Sequence, residues 1–363
     1  MENEKLKKLS DYKDDIHRCS KCGLCQAVCP VYKTTGNECS VSRGQFIMLD
    51  GVVRGNLNLN KNINKYLDLC LKCNKCSEFC PSDIDVVDIL LCAKHEYFKN
   101  SLSGKIYNLL ESELFFGNIL RALKFIGKLF NPKYKSKKFD KKVVYFGGCI
   151  SAIRPNVKNY VTKLLNELET EVIDVDYDCC GMPFLTTGNL ERFKKQIKNN
   201  ILKIPNDVEY LVTDCASCEW AWNQYVKYID DENLKDRLSK FKIISLYELI
   251  KDVNFVSRKH HKLTYHKPCH EKSDVESIIK SIENVDYVEL EENDTCCGFA
   301  GLEHPQTLKT LYPVVKSKFD NLKKTKADIV ITTCVGCLTL ISLLAFKTRR
   351  LISFLMDNCE IKK

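Results

Sequence analysis

Residues 19–30 read Cys-Ser-Lys-Cys-Gly-Leu-Cys-Gln-Ala-Val-Cys-Pro and residues 70–81 read Cys-Leu-Lys-Cys-Asn-Lys-Cys-Ser-Glu-Phe-Cys-Pro, so one C-x2-C-x2-C-x3-C-P pattern occurs twice. Any fold of this chain must gather those thiols into two compact groups. Two-residue gaps let a short loop wrap three corners of a cubane, while the cysteine before proline reaches the other cluster; this is the ligand pattern of two [4Fe–4S] clusters. It assigns Cys19, Cys22, Cys25 and Cys80 to one cluster, and Cys70, Cys73, Cys76 and Cys29 to the other. Cubanes held this way would lie close together, as electron relay requires. Structural zinc also favours paired C-x2-C ligands, but a tetrahedral ion has no use for third and fourth cysteines repeated at this spacing.

A chain of 363 residues, 44% apolar and 28% charged, is ordinary for a soluble protein of two or three domains. Its 21 cysteines are concentrated in motifs, unlike a short secreted disulfide scaffold. No apolar segment follows the charged start Met-Glu-Asn-Glu-Lys-Leu-Lys-Lys, so no secretory signal is expected, and iron-binding thiolates point to a reducing cytoplasm. No apolar run is long enough for a membrane-spanning helix. The formal charge of +9 overstates the basicity, because four thiolates leave roughly −2 on each oxidised cubane. With no zinc finger or RNP aromatic pattern either, nucleic acid is not an expected partner.

Residues 1–100 carry both motifs, with helices expected over 61–72 and 84–98. Between the motifs, turns at Thr35-Gly36-Asn37 and Ser42-Arg43-Gly44 alternate with a short helix over 45–53. In the linker 101–142, Ile106, Leu109, Leu110, Leu114, Ile119, Leu120, Leu123, Ile126, Leu129 and Phe130 recur at near-helical spacing. Its second half, 121–142, holds nine Lys/Arg against one acid, Asp140. Such a basic amphipathic helix can lie on an anionic membrane surface. A linker helix with a solvated lysine tail fits the same pattern and is the commoner outcome.

Residues 143–363 contain an internal repeat, falling into units 143–258 and 259–363. A strand over 143–146 before Gly147-Gly148-Cys149 corresponds to 263–265 before His266-Lys267-Pro268-Cys269. Cys179-Cys180-Gly181 corresponds to Cys296-Cys297-Gly298, and Cys215-Ala-Ser-Cys218 to Cys334-Val-Gly-Cys337. Near-constant spacing of this kind argues duplication. Strands over 171–175 and 210–213 flank a helix over 190–202 in the first unit; strands over 287–290 and 329–332 flank a helix over 305–323 in the second. Alternating elements favour mostly parallel strands covered by helices, with ligands at the carboxyl ends of the strands.

Each unit supplies five cysteines: Cys149, Cys179, Cys180, Cys215 and Cys218, then Cys269, Cys296, Cys297, Cys334 and Cys337. A cubane needs four thiolates, so five imply either a spare thiol or a cluster with extra thiolate bridges. A thioredoxin-like C-x-x-C reading leaves the Cys-Cys-Gly groups unexplained, and a reducing compartment disfavours a vicinal disulfide. Gly181 and Gly298 can take positive φ and let the backbone pass close to a cluster; Pro183 stiffens the first of these turns. His266 and His270 flank Cys269, and either donates to cluster sulfur, carries protons, or satisfies a backbone group at the strand end. Cys39, Cys92 and Cys359 belong to no repeat and read as ordinary small side chains.

With these motifs in place, nearly the whole chain resembles the CCG-domain family, in the form that fuses a two-cluster ferredoxin domain to tandem CCG units. That family includes the iron–sulfur subunits of glycolate oxidase and related lactate dehydrogenases, the C subunit of anaerobic glycerol-3-phosphate dehydrogenase, and the D subunit of heterodisulfide reductase. Cys29-Pro-Val-Tyr32, Thr35-Gly36 and Ser42-Arg43-Gly44 are similar to the glycolate oxidase type; Cys80-Pro-Ser-Asp83 and Val87-Asp88-Ile89 are similar to the glycerol-3-phosphate type.

The resemblance implies an α+β multidomain protein: an N-terminal α-helical ferredoxin-like domain followed by two pseudo-symmetric α/β CCG units with mostly parallel strands. It implies two [4Fe–4S] cubanes and one or two further clusters, cubane or noncubane, in the CCG units. The implied role is electron transfer in a flavin-dependent 2-hydroxy-acid dehydrogenase complex, from an FAD-containing partner towards membrane quinone or another acceptor. The location would be cytoplasmic or peripheral at the inner face of the cell membrane. No G-x-G-x-x-G opens a helix after a strand, so hydride chemistry is expected on another chain, and the sequence assigns no catalytic residue. The heterodisulfide reductase branch implies an alternative, disulfide cleavage at noncubane clusters. Retention of all five cysteines in both repeats, unlike relatives with incomplete units, keeps that alternative open. A metal-binding scaffold without redox turnover is the third reading.

Overall fold

The computed structural model describes residues 7–102, 104–106, 118, 122, 134–149, 156–300 and 308–362. Contacts divide the chain into two compact units. One takes in Met1–Leu110, Pro183–Glu191 and Asp294–Asp320; the other takes in Glu111–Met182, Arg192–Asn293 and Asn321–Lys363.

In the first unit the N-terminal region folds into short helices: α1 (Lys13–Arg18), α2 (Leu24–Val28), α3 (Pro30–Thr35), α4 (Ser42–Val53), α5 (Lys61–Asp68), α6 (Lys75–Glu78) and α7 (Val86–Asn100). The thiol motifs explain why they are short. Pro30 opens α3 where its missing N–H costs nothing, and the Tyr32 N–H donates to Cys29 Sγ at 3.5 Å. The helix expected over 61–72 stops at Asp68. Beyond it Lys72 and Asn74 take φ of 53° and 65°, which a continuing right-handed helix forbids. Lys21 and Gly23, the matching positions of the first motif, are also left-handed at 57° and 86°. The motifs therefore share a backbone as well as a spacing.

Leu9, Ile16, Phe46, Leu49, Leu67, Ile89 and Leu90 form the core here, and Cys19, Cys70, Cys76 and Cys80 pack against it. Two turns along α7 the interior becomes polar. Lys94 and Asp68, each 2% exposed, pair at 3.2 Å, and Asn64 donates to Asp68 at 2.8 Å. Lys94 also donates to Thr186 O at 2.9 Å and His95 Nδ1 to Gly188 O at 2.9 Å. A buried charge persists only when its partners are this complete.

The remaining elements are β1 (Lys141–Tyr145), α8 (Asn156–Glu167), β2 (Thr170–Ile173), α9 (Met182–Thr187), α10 (Leu190–Leu202), β3 (Tyr210–Thr213), α11 (Ala216–Gln224), α12 (Glu232–Ser239), β4 (Lys242–Ser245), α13 (Leu246–Leu249), β5 (Phe255–Tyr265), α14 (Val275–Lys280), β6 (Glu283–Val288), α15 (Leu308–Thr325), β7 (Ile329–Thr332), α16 (Val335–Leu343), β8 (Thr348–Arg350), α17 (Leu351–Asn358) and β9 (Cys359–Ile361). The linker helix expected within 101–142 falls mostly outside the described residues; at its end, Lys141 and Lys142 begin β1.

The second unit contains two sheets, ordered β2-β1-β3-β4 and β6-β5-β7-β8, with every pair in those paths parallel. The second adds β9, antiparallel to the start of β5. One core joins them, including Val143, Val161, Leu164, Val212, Leu246, Leu263, Ile329, Ile331 and Phe354. In both sheets the chain steps outward from the first strand and then crosses back to its other side. The β1/β3 and β5/β7 pairs are therefore topological switch points, where open parallel sheets form a crevice beyond their carboxyl ends.

Candidate metal centres

Cys19, Cys22, Cys25, Cys76 and Cys80 line one pocket, together with Gly23, Phe46 and Pro81. All four cysteines assigned to the first cubane thus face a common space, and Cys76 of the other set borders it. In the other set, Cys29 and Cys76 are both electrostatic neighbours of Cys70, and Cys70 Sγ accepts the Lys72 N–H at 3.4 Å. Burial pushes the Cys29 thiol up to about 11 and the Cys76 thiol up to about 12. The positive charge of a coordinated metal would pull such thiols back down into the thiolate form. Cys73 is half-buried.

At the first switch point, Cys149 follows β1 and Cys215 follows β3. Cys149 bonds to Cys179, Cys179 to Cys180, Cys180 to Cys218, and Cys218 to Cys215, so the five thiols form one hydrogen-bonded chain. The Cys179-Cys180 backbone is pinned from behind: Asn200 Nδ2 donates to Cys179 O at 2.9 Å and Tyr225 Oη to Cys180 O at 2.8 Å. The Gly181 N–H donates to Cys179 Sγ at 3.4 Å. Gly148, at φ 71°, leaves open the space where a Cβ would stand 3.0 Å from Cys218 Sγ. The hydrogen bond to Cys179, then burial, raises the Cys149 thiol; hydrogen bonds to Cys180 and Cys215 raise Cys218; bonds from Cys179 and Cys218 lower Cys180. Five converging soft donors, none in a disulfide, fit an iron–sulfur group at this site.

Of the second repeat's cysteines, Cys269, Cys334 and Cys337 lie in the same unit, after β5 and β7, whereas Cys296 and Cys297 belong to the first unit. The C-x-x-C loops of the two repeats touch. Ser217 Oγ lies 3.0 Å from Cys334 Sγ, Ala216 N–H donates to Thr333 O at 3.1 Å, and the Cys215 and Cys334 thiols are hydrogen-bonded. His266 continues the strand through its backbone N–H to Ile331 O at 3.0 Å, and its side chain is buried. His270 stacks on Trp220 with ring centroids 4.5 Å apart. Cys92 and Cys359 are buried, and the Cys92 thiol donates to Lys7 O at 3.2 Å.

Sequence reasoning missed the polar layer beneath the loops. Asp214 precedes Cys215; it is wholly buried, ion-paired with Arg350 at the end of β8, and accepts the Tyr145 hydroxyl at 2.6 Å. Burial raises the Asp214 carboxyl against the pull of Arg350. At the matching position Thr333 bonds to Glu271, which also accepts the Ser273 N–H at 3.0 Å. A charged residue closing the apolar strand Tyr210–Thr213, opposite threonine in the repeat, was the available signal.

The family model described as a cysteine-rich domain, CCG, matches residues 143–222 and again 263–342, and that of the 4Fe-4S dicluster domain matches 15–84. The chain thus carries an N-terminal 4Fe-4S dicluster domain and two CCG cysteine-rich domains, and it holds several iron–sulfur clusters. It is 24% identical to the probable glycolate oxidase iron-sulfur subunit of Bacillus subtilis, covering 89% of this chain and 88% of that one. It is also 24% identical to the glycolate oxidase iron-sulfur subunit of Escherichia coli, covering 89% of each. The D subunit of the dihydromethanophenazine:CoB–CoM heterodisulfide reductase of Methanosarcina acetivorans is 22% identical, over 89% of this chain and 87% of that one. No helix among the described residues is long and apolar enough to cross a membrane.

Proposed function

We propose that the chain is the electron-transfer subunit of a flavin-dependent 2-hydroxy-acid dehydrogenase, accepting electrons from an FAD-containing partner and passing them towards a quinone. Co-linear similarity to two glycolate oxidase iron-sulfur subunits across nearly nine tenths of both chains carries this reading. In it, Cys19, Cys22, Cys25 and Cys80 hold one cubane, and Cys70, Cys73, Cys76 and Cys29 hold the other. Cys149, Cys179, Cys180, Cys215 and Cys218 hold a CCG centre, and the repeat assigns Cys269, Cys296, Cys297, Cys334 and Cys337 to a second. When bound, these groups supply one-electron storage and transfer. The protein's part is to fix their spacing and exclude water, and the basic stretch 121–142 would keep the complex near an anionic membrane face.

The completeness of both five-cysteine sets, with touching C-x-x-C loops, favours a second reading: disulfide cleavage of the heterodisulfide reductase kind. One experiment separates the two. The anaerobically purified complex is given glycolate or lactate, and separately a disulfide after reduction. Bleaching of the iron–sulfur absorption by a 2-hydroxy acid, with a flavoprotein co-purifying, is the expected result. Reoxidation by the disulfide, together with an EPR signal that shifts on adding thiol, would move the assignment to the second reading.

A further inference from the structure

Within the first unit, Lys21 and Lys72 hold the same place in the two ferredoxin motifs, immediately before the second cysteine, and share left-handed backbone at φ 57° and 53°. Their surroundings are opposite. Ser20, Lys21 and Cys22 are exposed, whereas Leu71 and Lys72 are 4% and 2% exposed. The backbone N–H of Lys72 donates to Cys70 Sγ at 3.4 Å, so the buried ammonium belongs to the loop that would wrap three corners of the second cubane. Asp68, two residues before Cys70 and paired with Lys94, is buried as well. These three side chains sum to one positive charge. Arg43 lines the pocket of the first thiol group, but its side chain is 36% exposed and is paired with Glu38 at 3.7 Å.

A cubane with four thiolates carries roughly −2 when oxidised and gains a further negative charge on reduction, so burial by itself opposes reduction. A fixed cation offsets that opposition, and does so most where water and salt cannot screen it. We infer that Lys72 sets the potential of the second cubane: its buried ammonium stabilises the added electron on the cluster held by Cys70, Cys73, Cys76 and Cys29, while Lys21, in the same motif position but open to water, does little for the first. Reduction adds one electron to the oxidised cubane, supplied by the reduced flavoprotein of the proposed complex or by dithionite in vitro, and no bond is made or broken. Lys72 thereby keeps the more enclosed cubane reducible alongside the more exposed one. This role rests on the proposed ligand sets of the two cubanes.

EPR-monitored redox titration of the full, anaerobically purified chain tests this role. Cys22→Ser and Cys73→Ser first mark the two cubane couples, each altering a different signal; alteration of one and the same signal by both would overturn the ligand sets, and the role of Lys72 with them. With the couples marked, Lys72→Met is expected to lower the potential of the Cys73 couple by about 59 mV or more, a tenfold loss in its share of the electron. Lys72→Arg, which keeps the charge, is expected to hold that couple near its wild-type value. Lys21→Met is expected to change the electron share of the Cys22 couple by less than about twofold, because water and salt screen an exposed charge. Asp68→Asn removes a buried negative charge and is expected to raise the Cys73 couple, a shift of opposite sign that decides the matter if Lys72→Met fails to retain its iron. A Cys73 couple that Lys72→Met leaves in place, or that Asp68→Asn fails to raise, would overturn the inference with the ligand sets intact. So would a Cys22 couple that Lys21→Met moves as far as Lys72→Met moves the other.

Discussion

The two CCG repeats share a strand order and a cysteine pattern, yet they are braced differently. In the first, Tyr145 and Asp214 lie under the C-x-x-C loop, and the charge of Asp214 is met by Arg350, at the end of the last parallel strand of the second repeat. In the second, Tyr265 and Thr333 occupy the matching places, and the partner is Glu271 of the same repeat. Ser245 ends β4 where Arg350 ends β8. Duplication preserved the thiol frame, while the layer beneath it diverged so that the first repeat relies on the second. The first site is thus the dependent one, and its integrity is a test of the whole C-terminal half.

The largest expected effect would break this comparison outright. If each repeat holds its own centre, Cys218→Ser and Cys337→Ser should each remove about four irons per chain and leave the other sites filled. Iron and acid-labile sulfide analysis of each variant checks this. Loss of both sets from either single substitution would mean one centre shared through Cys215 and Cys334, and the two repeats would no longer be separate units.

Next in size is the cross-repeat ion pair. Arg350→Met strands a buried carboxylate and should cost about 3–5 kcal/mol, whereas Asp214→Leu combined with Arg350→Met should recover most of that loss. The counterpart, Thr333→Val, removes one hydrogen bond from Glu271 and should cost about 1–3 kcal/mol. Denaturant midpoints of the loaded protein rank the three. Equal costs for Arg350→Met and Thr333→Val would refute the dependence of the first repeat on the second.

Strands over 210–213 and 329–332 were legible because they are unbroken apolar runs buried on both faces, as parallel strands require. Lys242–Ser245 and Thr348–Arg350 were not, being short and partly polar edge strands. β5 was seen only in its last three residues because Arg258, Lys259 and His260 ahead of them are exposed and polar. The strand expected over 287–290 is Glu283–Val288, and the helix over 190–202 stands as expected. Spacing exposed the thiol groups because each motif sets its cysteines at short fixed intervals that recur along the chain. The contacts that brace them, Lys75 with Asp294 across 219 residues and Arg350 with Asp214, are long-range and leave no periodic trace.

The smallest difference concerns the glycine after each Cys-Cys pair, and it sharpens the comparison. Gly181 and Gly298 have φ of 86° and 91°, so alanine at either position carries the left-handed penalty of about 1–2 kcal/mol. What the new methyl group meets is different. At Gly181 a Cβ would stand 2.6 Å from Cδ2 of Phe193, a ring that is wholly buried and wedged edge-on against Tyr225 and Tyr228. At Gly298 it would stand 2.8 Å from Cγ2 of Val315, a half-buried side chain on α15 that can turn aside. Gly181→Ala should therefore be the costlier by about 1 kcal/mol or more, since overpacking a fixed ring adds to the backbone strain. Tyr225 donates to Cys180 O, so displacement of Phe193 should also reach the first thiol set. Gly181→Ala should then broaden the EPR signal of the first CCG centre, while Gly298→Ala leaves that signal unchanged. Equal melting temperatures and unchanged spectra in both variants would mean that the two turns relax alike and that packing behind the cysteines does not distinguish the repeats.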